Sequence, residues 1–145
     1  MVHIGIDPGK GGGICFIKNK DIAVAYKCPE TIEQMTSILK KEIKGFRKKQ
    51  ATIENVHSMP RDGVVSAFSF GRNFGTWLGI LTALNINFNM VSPQKWMKTF
   101  HPLPKEKKSR KHKLKQIAFD LHPDAKNTLS TADAVLIAHY GLTLK

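Results

Sequence analysis

The sequence predicts an α/β fold, one mixed five-stranded sheet flanked by helices. Three observations predict it. Three short apolar strands with tight turns open the chain, which points to an antiparallel meander. Strand and helix patterns then alternate, as they do where parallel strands join a sheet. The last stretches carry helical spacing alone. The order is βββαβαβαα, with no internal repeat and no linker that divides the 145 residues, so they are expected to form one domain, residues 1–145.

Each element has its own signal. Residues 2–7 (VHIGID) alternate and end at the Pro8-Gly9 turn. Residues 12–18 (GGICFIK) and 21–27 (DIAVAYK) are two more strands, joined at Asn19-Lys20. Helical spacing over residues 31–46 puts Ile32, Met35, Ile38, Leu39 and Ile43 on one face, with Thr31 as N-cap. Residues 50–57 (QATIENVH) form a fourth strand, 64–84 a second helix, and 86–91 (INFNMV) a fifth strand that stops at Ser92-Pro93. Further helices are expected near 109–121 and over about 130–142. Residues 100–109, rich in Pro and Lys, are expected to be the least ordered.

Composition narrows the function. There are 23 Lys and Arg against 11 Asp and Glu, a net charge of +12, which suits a polyanionic partner such as nucleic acid. Two cysteines cannot build a disulfide framework or a four-thiolate zinc site, and Cys15 and Cys28 are expected in the core. The six histidines lack zinc-type spacing. No apolar run reaches the roughly 20 residues of a membrane helix, and MVHIGIDPGK lacks the pattern of a signal peptide, so a cytoplasmic protein with no membrane partner is expected. GKGGG lacks the spacing of a phosphate-binding P-loop, and no nucleotide cofactor is expected.

Three of the acids stand out. Asp7 ends an apolar strand, Glu54 sits in the strand ATIENV, and Asp133 lies beside an apolar helix face in TADAVLIAHYG. A buried carboxylate is costly unless it is paired or binds a cation. Each alone reads as a structural salt bridge; together they can converge on one point. Carboxylates without Cys or clustered His select hard ions, Mg²⁺ with Mn²⁺ as a substitute. Two such ions roughly 3.5–4 Å apart activate water and stabilise the leaving oxygen of a phosphodiester.

VHIGIDPGKGGG, ATIENV and STADAVLIAHYG, in this order, resemble the RuvC-type Holliday junction resolvases, most closely their bacteriophage branch. FSFGRNFGTWLG and VSPQKWMK support the resemblance, which covers nearly the whole chain. It implies an RNase H-like (retroviral integrase superfamily) fold. It also implies a homodimeric, metal-dependent endonuclease that nicks branched DNA, chiefly four-way junctions, in pairs and leaves 5′-phosphate ends. If phage-encoded, the protein would act in the cytoplasm of the bacterial host. By the resemblance Asp7, Glu54 and Asp133 hold the metal. Ser130 occupies the position where the family has a further Asp or His, a departure that leaves only a weak ligand there. Lys111 matches a lysine near the scissile phosphate, and Lys98 is a looser match.

The segment KEKKSRKHKLK, residues 105–115, holds seven Lys or Arg and one acid, too one-sided for pairing along a helix. Lys105, Lys107, Lys108, Arg110, Lys113 and Lys115 are therefore candidate DNA contacts. A second basic cluster, Lys40, Lys41, Lys44, Arg47, Lys48 and Lys49, follows the first helix. In the loop after Glu54, His57 stands where cellular members of the family stack an aromatic into the junction. Met59 offers a wedge and Arg61 a phosphate contact in the same loop. Gly71, Gly75 and Gly79 recur at four-residue spacing in a helix with Phe74 nearby; they indicate close approach, either to the domain's own sheet or, as in the family, across a dimer interface. Two alternatives remain: an RNA-processing or RNase H-type nuclease of the same superfamily, and a non-catalytic binder of branched DNA, which Ser130 favours.

Overall fold

The computed structural model describes residues 1–144. Its elements are β1 (Val2–Asp7), β2 (Gly13–Lys18), β3 (Ile22–Lys27), α1 (Ile32–Glu42), β4 (Lys49–Glu54), α2 (Val64–Ala83), β5 (Asn87–Val91), α3 (Pro93–Lys98), α4 (Lys107–Leu121) and α5 (Ala132–Thr143). One sheet runs in the order β3-β2-β1-β4-β5. The first three strands pair antiparallel, and β4 and β5 join parallel. This is the expected mixed sheet. Asn19 and Lys20 both take positive φ in the three-residue connection between β2 and β3, where the Asp21 N–H donates to the Lys18 carbonyl.

Side chains alternate across a strand, and this alternation divides the core. Val2, Ile4 and Ile6 of β1 face α1 and α2, together with Ile14, Phe16, Ala51 and Ile53. Cys15, Ile17, Ala23 and Ala25 face α5, with α3 and α4 behind it. His3, Gly5 and Asp7 therefore belong to the α5 side of β1. At Gly5 the helix lies directly on the strand: a Cβ there would run into the backbone of Ala134 and Ala138. The resulting burial of α5 on nearly all sides explains why its sequence is apolar almost all round.

Thr31 caps α1 as expected, accepting from the Gln34 N–H in a reciprocal capping box. The helix stops at Glu42, short of residue 46, and Gly45 turns the chain with φ +83°. The fourth strand ends at Glu54 rather than at 57, because the Asn55 N–H bonds the Val91 carbonyl and the chain then leaves the sheet. A short helix, α3, was not expected: Ser92 accepts from the Lys95 N–H, and Pro93 begins the first turn.

Residues 100–109 are better anchored than their composition indicated. Phe100 and Leu103 pack against the α5 core. Glu106 caps α4 through the N–H groups of Lys108 and Ser109, at 2.8 and 2.6 Å, so this helix starts at Lys107. Arg110 donates to the Lys105 carbonyl at 2.7 Å. A further acid, Glu42, is more deeply buried than Asp7, Glu54 or Asp133. Glu42 accepts from Lys18 Nζ and from the Tyr26 hydroxyl, each at 2.6 Å, and is an ordinary ion pair.

Candidate active site

β1 and β4 are parallel neighbours, and Ile6 pairs with Ile53. Asp7 and Glu54 are the next residues of each strand, so they stand side by side at the C-terminal end of these two strands, on the α5 face. Neighbouring strands lie roughly 4.8 Å apart. Asp133 is the acid in the first turn of α5, whose next residue, Ala134, touches Gly5 two positions before Asp7. Three segments distant in sequence thus bring their carboxylates to one end of the fold.

The electrostatics show that the three acids act on one another. Burial pushes the Asp7 carboxyl well above its ordinary range, and the charges of Asp133 and Glu54 push the same way; only Lys111 opposes them. Burial also raises Glu54, against the hydrogen bond from Trp96 and the charge of Lys111, while Asp133 adds to the rise. Asp133 itself is raised by burial and lowered by Lys111 and Arg110. Both ion pairs found among the described residues belong to Glu42, so none of the three acids has a contacting cation. No group of three His, Cys, Asp or Glu side chains among the described residues is drawn together tightly enough to hold an ion as it stands. Glu54 Oε2 accepts from the Trp96 indole N–H at 2.6 Å.

The turn between β1 and β2 is shaped by close contacts. Gly9 takes φ +107°, and its N–H donates to Asn73 Oδ1 at 2.8 Å. A Cβ on Gly12 would strike the Asp7 carbonyl and lie 3.1 Å from the Asp7 carboxyl carbon. Backbone therefore borders the acid where any side chain would intrude.

Lys111 occupies the same stripe of α4 as the buried Leu114 and Ala118, three and seven residues on. That register turns it and its neighbour Arg110 toward the start of α5. Lys98 is exposed in the last turn of α3 and is not among the charges that act on the three acids. Lys105, Lys107, Lys108 and Lys113 are exposed, while Arg110 and Lys115 are half-buried. Ser130 lies in the turn before α5, half-buried, with its carbonyl against Gly13. Residues 55–63 form a loop that leaves the same end of the sheet. His57, Met59 and Arg61 are exposed on it, and Asp62 accepts from the Met59 N–H at 2.7 Å.

Gly71, Gly75 and Gly79 do not pack on the domain's own sheet. A Cβ at any of them meets nothing within 4 Å, whereas Trp77, Ile80 and Leu81 face the core. Phe74 leans into that core and is only half-exposed. Next to the glycines, Val64 and Phe68 remain 86% and 72% exposed. Trp96 is the residue the sequence reading missed. It lies within VSPQKWMK, where the Ser-Pro pair after β5 starts α3.

No family model matches the chain, and no curated protein matches it in sequence. Its fold, however, superposes on RuvC of T. thermophilus in complex with a Holliday junction substrate with a TM-score of 0.67. That match covers 97% of this chain and 91% of the other at 15% identity. The structure of Thermus thermophilus RuvC matches with a TM-score of 0.63 and 17% identity, over 97% and 92% of the two chains. The chain has the RuvC fold. The RNase H-like architecture expected from the motifs is thereby borne out. Among the described residues no helix of this RuvC-like fold is long and apolar enough to cross a membrane.

Proposed function

We propose that this chain, as a single nuclease domain, is a divalent-metal-dependent, structure-selective DNA endonuclease. It acts as a homodimer that nicks four-way junctions and related branched DNA in pairs. The observation that carries the reading is the set of three half-buried, ion-pair-free carboxylates, Asp7, Glu54 and Asp133, beside Lys111 in a protein of net charge +12.

A donor set of carboxylate oxygens, with no Cys or His among it, fits Mg²⁺ or Mn²⁺. Half-buried acids that repel one another and lack a contacting cation are what a divalent ion would relieve. Asp7, Glu54 and Asp133 would hold the metal, and Ser130, with a hydroxyl in place of a carboxylate, would add little. When bound, such ions supply an activated water and stabilise the leaving oxygen of a phosphodiester.

The protein's own groups do the rest. Lys111, facing the acids from α4, stands where it offsets charge developing on the phosphate. Lys105, Lys107, Lys108, Arg110, Lys113 and Lys115 hold the flanking phosphates. Lys98 lies farther from the acids in this reading and serves as a peripheral phosphate contact. His57 and Met59 offer a surface for an unstacked base at the branch, with Arg61 beside them. The open glycine stripe of α2, flanked by Val64 and Phe68, is the face a second copy would cover, and a two-fold axis there would relate two sites for paired cuts.

The test is cleavage of a mobile junction in Mg²⁺ and in Mn²⁺ with the nicks mapped on each strand. Paired symmetric nicks ending in 5′-phosphate are expected. Asp7→Asn and Glu54→Gln should abolish nicking and leave junction binding intact or tighter, because negative charge is removed. Cleavage that survives either change refutes the assignment. Ser130 favours a second reading, a binder of branched DNA that does not cut; absence of nicking in both metals would establish it over the first.

A further inference from the structure

The face of α2 about 100° around from the glycine stripe borders a cleft of about 730 Å³, walled by α1, the turn after β1 and the segment after β3. Lys10, Lys27 and Arg72 line it, against one acid, Glu30. All three cations are exposed, and neither ion pair among the described residues involves them. Ile32, Val65 and Phe70 supply apolar wall between the charges. Free cations interleaved with an aromatic ring are the makings of a site for single-stranded nucleic acid, where phosphates meet the charges and a base lies on the ring.

Its position joins it to the three acids. Lys10 is three residues beyond Asp7, on the turn that passes from the α5 face to the cleft. Asn73, in the cleft wall, holds the Gly9 N–H of that turn. A strand crossing the acids therefore has a short route over Pro8-Gly9-Lys10 into the cleft. The volume falls within the roughly 300–1,000 Å³ of sites that enclose a small organic ligand, which is the scale of a nucleotide and not of a duplex.

We infer that this cleft receives an unpaired nucleotide of the strand lying at the carboxylates, with Lys10, Lys27 and Arg72 on its phosphates and its base against Phe70 and Ile32. The inference rests on the reading of the chain as a DNA nuclease and adds to it a subsite for single-stranded DNA.

The experiment measures binding of a short fluorescein-labelled oligothymidylate, and of a blunt duplex, by two variants of the full chain. One is Lys10→Gln/Lys27→Gln/Arg72→Gln, which removes charge from exposed, unpaired positions. The other is Ser69→Trp, which fills the cleft from an exposed site and keeps every charge. Lost contacts to the two phosphates that flank one nucleotide, at about 0.7 each, should flatten the log–log salt slope for the oligonucleotide by about 1.4. Ser69→Trp should weaken the oligonucleotide with an unchanged melting temperature, and duplex binding should be the same for both variants and the parent. Wild-type oligonucleotide affinity and slope in either variant overturns the cleft, as does an equal loss of duplex binding. The two readings fail separately: junction nicking with no effect of these variants leaves the nuclease and removes the subsite. Oligonucleotide binding that depends on the cleft in a protein that cuts nothing leaves the subsite and removes the nuclease.

Discussion

Trp96→Phe isolates one hydrogen bond at the candidate site. The indole is buried, 1% exposed, and its N–H donates to Glu54 Oε2 at 2.6 Å. Phenylalanine keeps an aromatic ring beside Phe100, whose centroid lies 6.2 Å from that of Trp96, and removes the donor. A hydrogen bond to a charged group contributes roughly 1.5–3 kcal/mol. Losing it leaves a half-buried carboxylate with one fewer stabilising partner, so its acidity falls further and it binds a cation less well. Partners behind a metal ligand are worth about 10–100-fold in affinity. That corresponds to roughly 1.4–2.7 kcal/mol, within the range for the hydrogen bond alone. The assay is junction nicking titrated with Mn²⁺ and with Mg²⁺, alongside the melting temperature of metal-stripped protein to separate lost packing. The midpoint of the metal titration should rise about 10–100-fold, with the maximal rate recovered at saturating metal. An unchanged midpoint would show that the indole does not tune Glu54. A rate loss that saturating metal leaves uncorrected would show that it acts through packing instead.

Three further outcomes follow from the same residues. Asp7 titrates above its unfolded value, so between the two values the folded chain holds a proton that the unfolded chain has released, and stability falls as pH rises through that window. In chelator at neutral pH, Asp7→Asn should therefore melt above the parent, and the gap should close below about pH 4; a variant that melts lower at neutral pH contradicts this. Neutralising Lys107, Lys108 and Lys113 together should flatten the log–log salt slope for junction binding by about 3, at roughly 0.9 per contact; an unchanged slope removes α4 from the interface. Gly75→Glu meets open space, and leaving a helical glycine favours the helix by up to about 1 kcal/mol. It should keep the fold by circular dichroism and sediment as a monomer, whereas an intact dimer would remove the stripe from the interface.

What was legible in the sequence was local, and what was missed was tertiary. Asp7 and Glu54 stood out because a charge at the end of an apolar strand is costly wherever that strand packs, and the structure places both on the α5 face. The meander was readable from alternation and from the Asn19-Lys20 turn. Continued alternation through Asn55–His57 carried the expected β4 too far, since only the partner strand decides where pairing stops. Nothing local in the sequence marks Glu42; its burial depends on Lys18 and Tyr26, which β2 and β3 deliver. The four-residue glycine spacing was plain, but which side of α2 would face the sheet depended on where Trp77 and Leu81 pack. A six-residue helix such as α3 is shorter than any window in which periodicity can be seen, so the partner of Glu54 stayed hidden with it.

The joint at Gly5 has a mechanical consequence. Main chain touches main chain there, with no flexible side chain between strand and helix to absorb displacement. Asp7 and Asp133 sit within two residues of that joint, one on each member. Their spacing is thus inherited from the hydrogen-bonded scaffold and has almost no slack. Lifting α5 from β1 by the width of a methyl group would part the two acids before the surrounding core gave way, so activity should vanish under milder perturbation than unfolding requires.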